Sequence, residues 1–233
     1  AFARSGVTKV VIGGNASSIA GNNQVEYVYG HGIGVFSLCA SLIEVVLPSS
    51  MKTLGRNSFV KCTALVKREL PEGLTKIDDN ALTDSINLVI SKFPESLIYI
   101  GGNNFYQNNN LPEVINLPNL QTLGAAFMKS NIKRVENLGK ITATGSSSIY
   151  YPTNYGAGPF ADCKELEYIE VPATVTNIGN GFVVNCTALK AIVLRNPTPA
   201  TLGVSPFNNT NNCPIYVPDA SVDAYKNASG WSS

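Results

Sequence analysis

The chain has 233 residues, of which 44% are hydrophobic and 14% charged, and its formal net charge is +1. That balance excludes an intrinsically disordered chain and leaves no field strong enough to recruit nucleic acid or anionic lipid. No apolar run approaches the ~18–20 residues of a membrane span, so no membrane insertion is expected in this segment.

Self-similarity organises the chain. In the first unit Val7, Val10, Ile12, Ala16 and Ile19 occupy spaced apolar positions, and Phe36 closes it only after an extra segment, NNQVEYVYGHGIG. From there the period is 23 residues: Cys39 to Cys62, Phe36 to Phe59, Pro48 to Pro71 to Pro94, and later Cys163 to Cys186. Apolar residues are expected three, six and eight positions after the Cys, with Pro at nine: Leu42, Val45, Leu47 and Pro48 in the second unit, and Leu166, Ile169, Val171 and Pro172 near Cys163. The third unit places Arg68 between Leu65 and Leu70, and the fourth reads Ser85, Leu88, Ser91, Phe93 and Pro94. A second apolar pair follows the Pro, as in Met51 and Leu54, Leu74 and Ile77, or Val175 and Ile178.

These spacings have a physical reading. Alternate apolar positions describe a half-buried strand, and Pro ends it because it has no N–H for the ladder. The glycines that follow (Gly55, Gly101, Gly124, Gly179) are expected to supply a positive φ at the next corner, and the Phe to plug the centre of a coil. One unit cannot bury these groups, but stacked units can, each side chain lying on its equivalent about 4.8 Å away. About eight units are expected, starting near Val7, Leu42, Leu65, Leu88, Leu111, Ile132, Leu166 and Leu189, with short helical or 3₁₀ turns near the Phe positions. Pro118 falls one residue late and the unit of Ile132 and Val135 is one short, which predicts local bulges.

After Leu194 the pattern gives way to a Pro/Asn-rich stretch. Ile215, Tyr216 and Val217 predict a closing strand ending at Pro218, followed by a short helix capped by Asp219 or Ser221. Tyr225 and Trp231 then cover the open end of the core, a need common to all solenoids.

The segments CASLIEVVLPSSMKTLGRNSF, CKELEYIEVPATVTNIGNGF and CTALKAIVL resemble the BspA-like leucine-rich repeats of bacterial surface proteins. The tail IYVPDASVDAYKNASGWSS is similar to the strand-plus-helix cap of such arrays in gut Bacteroides proteins. The resemblance departs where Ser85, Asn108 and Ser130 replace the Cys. The expected fold is a β-rich α/β solenoid, a right-handed leucine-rich-repeat coil of about eight ~23-residue units. Residues 1–233 form a single domain: an N-terminal unit with insertion (1–36), repeats (37–207) and a C-terminal cap (208–233).

Two insertions stand out against the repeat. Besides the first-unit segment, SSSIYYPTNYGAG separates Gly145 from Phe160. Both fall at the same point of the unit and are expected to leave the same edge. Their Tyr27, Tyr29, Tyr150, Tyr151 and Tyr155 are the candidate ligand-binding residues, since Tyr offers amphipathic contact area at little entropic cost. The competing reading makes them surface covers or an end cap.

Catalytic and metal chemistry finds little support. His31 is the only histidine, and GHGIG places no nucleophile or orienting acid beside it. No close Cys pair suits a metal. Cys39, Cys62, Cys163 and Cys186 read as buried thiols in a ladder, with a disulfide between neighbouring rungs or a functional thiol as alternatives; Cys213 falls in the cap region. Glu165, Glu167 and Glu170 read as a solvated face. No catalytic residue, metal or cofactor is therefore expected.

The expected function is a non-catalytic, exported binding module, monomeric, recognising a protein or glycan on a host or microbial surface. The resemblance implies adhesion and a cell-surface location. A structural spacer in a larger surface lipoprotein is the alternative, and a glycan hydrolase a more distant one. The chain opens on Ala1 with no visible signal peptide, so an export signal or lipid anchor is expected outside it.

Overall fold

The computed structural model describes residues 2–20, 33–66, 69–144 and 158–231. Among them the chain winds through fifteen short strands, numbered in chain order and divided between two faces of a coil stack. The first face carries β1 (Lys9–Val11), β3 (Glu44–Val46), β7 (Val114–Asn116), β9 (Arg134–Asn137), β11 (Tyr168–Val171), β13 (Ala191–Leu194) and β15 (Ile215–Tyr216). The second carries β2 (Ser18–Ile19), β4 (Thr53–Leu54), β5 (Lys76–Ile77), β6 (Tyr99–Ile100), β8 (Thr122–Leu123), β10 (Ala143–Thr144), β12 (Asn177–Ile178) and β14 (Thr201–Leu202). All pairings are parallel. The eight second-face strands mark the eight coils that the spacing predicts.

Register follows from the apolar rungs. Ile19, Leu54, Ile77, Ile100 and Leu123 lie opposite one another on the second face. On the first, Val10 faces Val45, and Ile115, Val135, Ile169, Ile192 and Ile215 form one row. Leu42, Leu65, Leu88 and Leu166 are all fully buried. A one-residue slip would turn any of these strands inside out, so the row pins the register. The predicted irregularity near Pro118 and Val135 is a shift between β7 and β9, where Ile115 faces Val135 but Asn116 faces Asn137.

The centre of the stack is a column of rings. Phe2 stacks on Phe36 and Phe36 on Phe59, and further along Phe105, Phe127 and Phe160 continue the stack. Leu82 takes the Phe position of the coil between. Phe93, reaching in from the first-face side, meets Phe105 and Phe127 edge-on at 5.3 and 5.8 Å.

Several expectations need correction. In the fourth coil Ser91 points to solvent and Ile90 is buried, because the chain there slips by one residue. The Phe segments are hydrogen-bonded turns, not helical; the 3₁₀ turn Asp219–Ser221 and α1 (Val222–Asn227) are the helical elements among the described residues. In six coils positive φ falls on a non-glycine residue two positions past the Phe slot: Leu38, Lys61, Asp84, Gln107, Lys129 and Asp162 lie between 56° and 61°. That conformation lets the amides of Leu38, Lys61, Gln107, Lys129 and Asp162 donate to the next coil. The glycines serve close approach instead: a Cβ on Gly101 would lie 2.5 Å from the Asp79 nitrogen, and one on Gly124 2.5 Å from the Gly102 nitrogen.

At the C-terminus β15 pairs with β13 as the last strand, and α1 covers the core. Tyr225 is buried and its hydroxyl donates to the Asn196 carbonyl at 2.9 Å, while Trp231 Nε1 donates to the Ala200 carbonyl at 2.9 Å. Ser221 occupies the N-cap but makes no side-chain capping bond, so apolar packing, not a polar cap, holds this helix.

Candidate functional site

In six coils a polar slot ties the coil to the one before, and in the sixth coil Ser130 instead bonds Cys163 of the following coil at 3.6 Å. The Cys39, Cys62, Cys163 and Cys186 thiols donate to the carbonyls of Phe2, Phe36, Phe127 and Phe160 at 3.0–3.1 Å. The Ser85 hydroxyl does the same to Phe59 at 2.9 Å. Asn108 fills its slot by donating to the Leu88 carbonyl at 2.9 Å. All five cysteines are thiols rather than disulfides, and Cys213 is half-buried. Burial pushes Cys163 up to about 11 and raises Cys186, which keeps both protonated and unreactive near neutral pH. The ladder is structural.

On the first face one position of the repeat changes character along the stack. Backbone hydrogen bonds link Val66 to Ile43 (3.4 Å) and Val89 to Val66 (2.7 Å). Farther on they link Lys133 to Glu113, Glu167 to Lys133 and Lys190 to Glu167, at 2.8–2.9 Å. In coils two to four this position is aliphatic and open to solvent: Ile43 is 54% exposed, Val66 47% and Val89 42%. In coils five to eight it alternates Glu113, Lys133, Glu167 and Lys190.

The apolar part borders a groove of about 660 Å³ lined by Ile43, Val46, Leu47, Val66, the buried Val45, and the carboxylate-bearing Glu44 and Glu69. Val11, paired with Val46 across β1 and β3, extends the exposed aliphatic surface. The groove lies where regular pairing on this face lapses between β3 and β7. In sequence this is where the third unit carries Arg68 at a position that is apolar in other units, and where the fourth coil slips by one residue.

The charged part is internally matched. Lys133 meets Glu113 at 2.6 Å and Lys190 meets Glu167 at 2.9 Å. Arg195 grips Glu170 with two bonds of 2.9 Å, Tyr168 donates to the same carboxylate at 2.9 Å, and Arg134 lies 4.4 Å from the Tyr168 ring centre. The hydrogen bond from Arg195 lowers the Glu170 carboxyl, and the one from Lys190 lowers Glu167. The hydrogen bond to Glu113 raises Lys133; burial, then the bond to Glu170, raises Tyr168. Glu167 and Glu170 thus stand on the solvated face expected from their spacing, each paired there with a basic neighbour.

Tyr27, Tyr29, Tyr150, Tyr151 and Tyr155, with His31, lie outside the described residues. The Ile43–Val66–Val89 row escaped the sequence reading, although its signal was present: an aliphatic residue four positions after the Cys slot in three successive units, against charged residues in later ones. Among the described residues no cluster of three His, Cys, Asp or Glu could hold a metal ion, and no helix is long and apolar enough to cross a membrane.

Parallel strands, an inward Leu row and a stacked Phe column define a leucine-rich-repeat solenoid. The chain belongs to the BspA type leucine rich repeat family, whose model matches it in six copies over residues 32–156 and 153–229. No curated protein matches it. It is similar in fold to a leucine rich cell surface protein from Faecalibacterium prausnitzii, at 19% identity and TM-score 0.51, over 94% of this chain and 62% of that one. A leucine-rich repeat protein from Bacteroides ovatus is similar at 22% identity and TM-score 0.50, over 90% and 63%. The chain therefore spans less than two thirds of either structure.

Proposed function

We propose that this chain is a non-catalytic binding and adhesion module at the cell surface, engaging a protein ligand through the first face of the solenoid and the tyrosine-rich insertions. The observation carrying this reading is the Ile43, Val66, Val89 row: aliphatic side chains kept about half exposed on a stack whose equivalent positions in coils five to eight are charged. Such surface is costly to leave in water and marks interaction sites. Family membership and the cell-surface description of the Faecalibacterium protein support the location. The matched charges of Glu113, Lys133, Glu167 and Lys190 suit selectivity more than raw affinity.

The test is a paired array of host and microbial surface proteins and of glycans, probed with the labelled chain. Saturable binding to proteins is the expected result. Binding confined to glycans would overturn the protein reading, and binding to neither would favour a spacer.

A further inference from the structure

We infer that the Ile43–Val66–Val89 face seats one amphipathic α-helix of a partner protein, its axis running along the solenoid. The inference rests on the binding-module reading and specifies the partner's shape and chemistry.

Spacing makes the case. Although no regular strand forms at Val66 or Val89, backbone hydrogen bonds from Val66 to Ile43 and from Val89 to Val66 hold the three on successive rungs, so at about 4.8 Å per rung the row spans about 9.6 Å. A helix rising 1.5 Å per residue sets side chains i, i+3 and i+7 at about 0, 4.5 and 10.5 Å, within about 1 Å of each rung. An extended peptide repeats on one side only every ~6.8 Å and falls about 4 Å out of step by the third rung. A helix with an aliphatic stripe therefore keeps pace with this row, whereas a strand does not.

Chemistry agrees with the spacing. Val11, Ile43, Val46, Val66 and Val89 are each between 41% and 63% exposed. Together they offer on the order of 400 Å² of apolar surface, as expected of an interaction patch on a monomer and of a reversible contact. The groove beside Val46 gives one partner side chain a recess. Among the described residues, Lys9 pairs with Glu44 at 2.8 Å and Lys133 with Glu113 at 2.6 Å at the borders of the row. With those charges paired, the aliphatic stripe is the main contact offered to the partner.

The experiment uses two display libraries against the whole chain: one randomises a single face of a stable helical scaffold, the other one face of an exposed strand. Helical clones with aliphatic residues at i, i+3 and i+7 are expected, binding reversibly and with little dependence on salt. Val66→Lys should weaken them about tenfold or more, as loss of a central anchor does, and Ile43→Ser should act alike. Arg195→Ala should leave them unchanged. Both apolar positions are half exposed, so the fold should survive, which circular dichroism checks. Selection of strand clones alone, no clones at all, or clones indifferent to both substitutions would overturn the inference. So would sedimentation of the chain as a dimer that Val66→Lys dissociates, since a second copy would then own the face. Array binding that persists in Val66→Lys would leave the module reading standing while the helix reading fails.

Discussion

The Cys186 thiol donates a hydrogen bond to the Phe160 carbonyl oxygen across 3.0 Å, joining two coils through residues 26 positions apart. The same bond runs from Cys163 to Phe127 and, with a hydroxyl in place of the thiol, from Ser85 to Phe59. The slot requires a small donor, and sulfur is optional. Cys186→Ser should therefore fold with nearly unchanged stability. Cys186→Ala strands a buried carbonyl and should cost about 1–2 kcal/mol. Urea unfolding of the two variants would check this; equal losses would show that the thiol acts by volume alone.

Burial pushes the Cys163 thiol up to about 11 from an ordinary value near 9. At neutral pH both folded and unfolded states hold the proton, so the contribution is complete there. Between pH 9 and 11 the unfolded state loses its proton first, and stability falls as pH rises through that window. The full effect is about 2–3 kcal/mol. Cys163→Ser should make the alkaline decline shallower in denaturant titrations at stepped pH. An unchanged slope would assign the decline to other groups.

Close stacking, not backbone conformation, explains Gly124. Its missing Cβ leaves room for the Gly102 backbone, which a methyl would meet at 2.5 Å. Gly124→Ala should cost about 1–3 kcal/mol, in the range of overpacking. Gly6, with nothing within 4 Å of an added Cβ, is the matched control and should accept Ala at little cost. Melting temperatures of the two proteins, side by side, settle the comparison.

The C-terminal cap predicts its own weak points. Tyr225→Phe removes the hydroxyl bonded to the Asn196 carbonyl and should cost about 1 kcal/mol. Trp231→Ala removes both the indole bond to Ala200 and ring contacts with Phe207 and Tyr225, and should cost about 3 kcal/mol. Since Trp231 is the only tryptophan, its fluorescence in the Tyr225→Phe protein reports whether the cap loosens before the stack unfolds.

Deleting residues 146–156 tests the tyrosine-rich insertion. The repeat closes without it, as the plain units show, so thermal stability should be nearly unchanged. Ligand binding should weaken if Tyr150, Tyr151 and Tyr155 contribute contacts. Undiminished binding to whichever array protein is found would remove that insertion from the interface.

Much of this molecule was legible in one dimension. The 23-residue recurrence of Cys39 and Cys62, and of Pro48, Pro71 and Pro94, specifies stacked coils. Period-two alternation then places Val45, Ile169 and Ile192 inside, because a strand has only two sides. The roles of Tyr225 and Trp231 followed from the same logic, since an open apolar end must be covered.

What the tertiary structure alone decided concerns neighbours from different coils. Ile90 instead of Ser91 turns inward, and Phe93 reaches the ring column beside Leu82. Positive φ settles on Leu38 and its equivalents because their amides find the next coil, while Gly101 and Gly124 stay small to let backbones touch. Ile43, Val66 and Val89 become one exposed row, and Glu113, Lys133, Glu167 and Lys190 a matched one. A repeat period says which side chains leave the core. Which of them meet across a 20- to 34-residue separation depends on the slips and insertions between coils, and only packing resolves those.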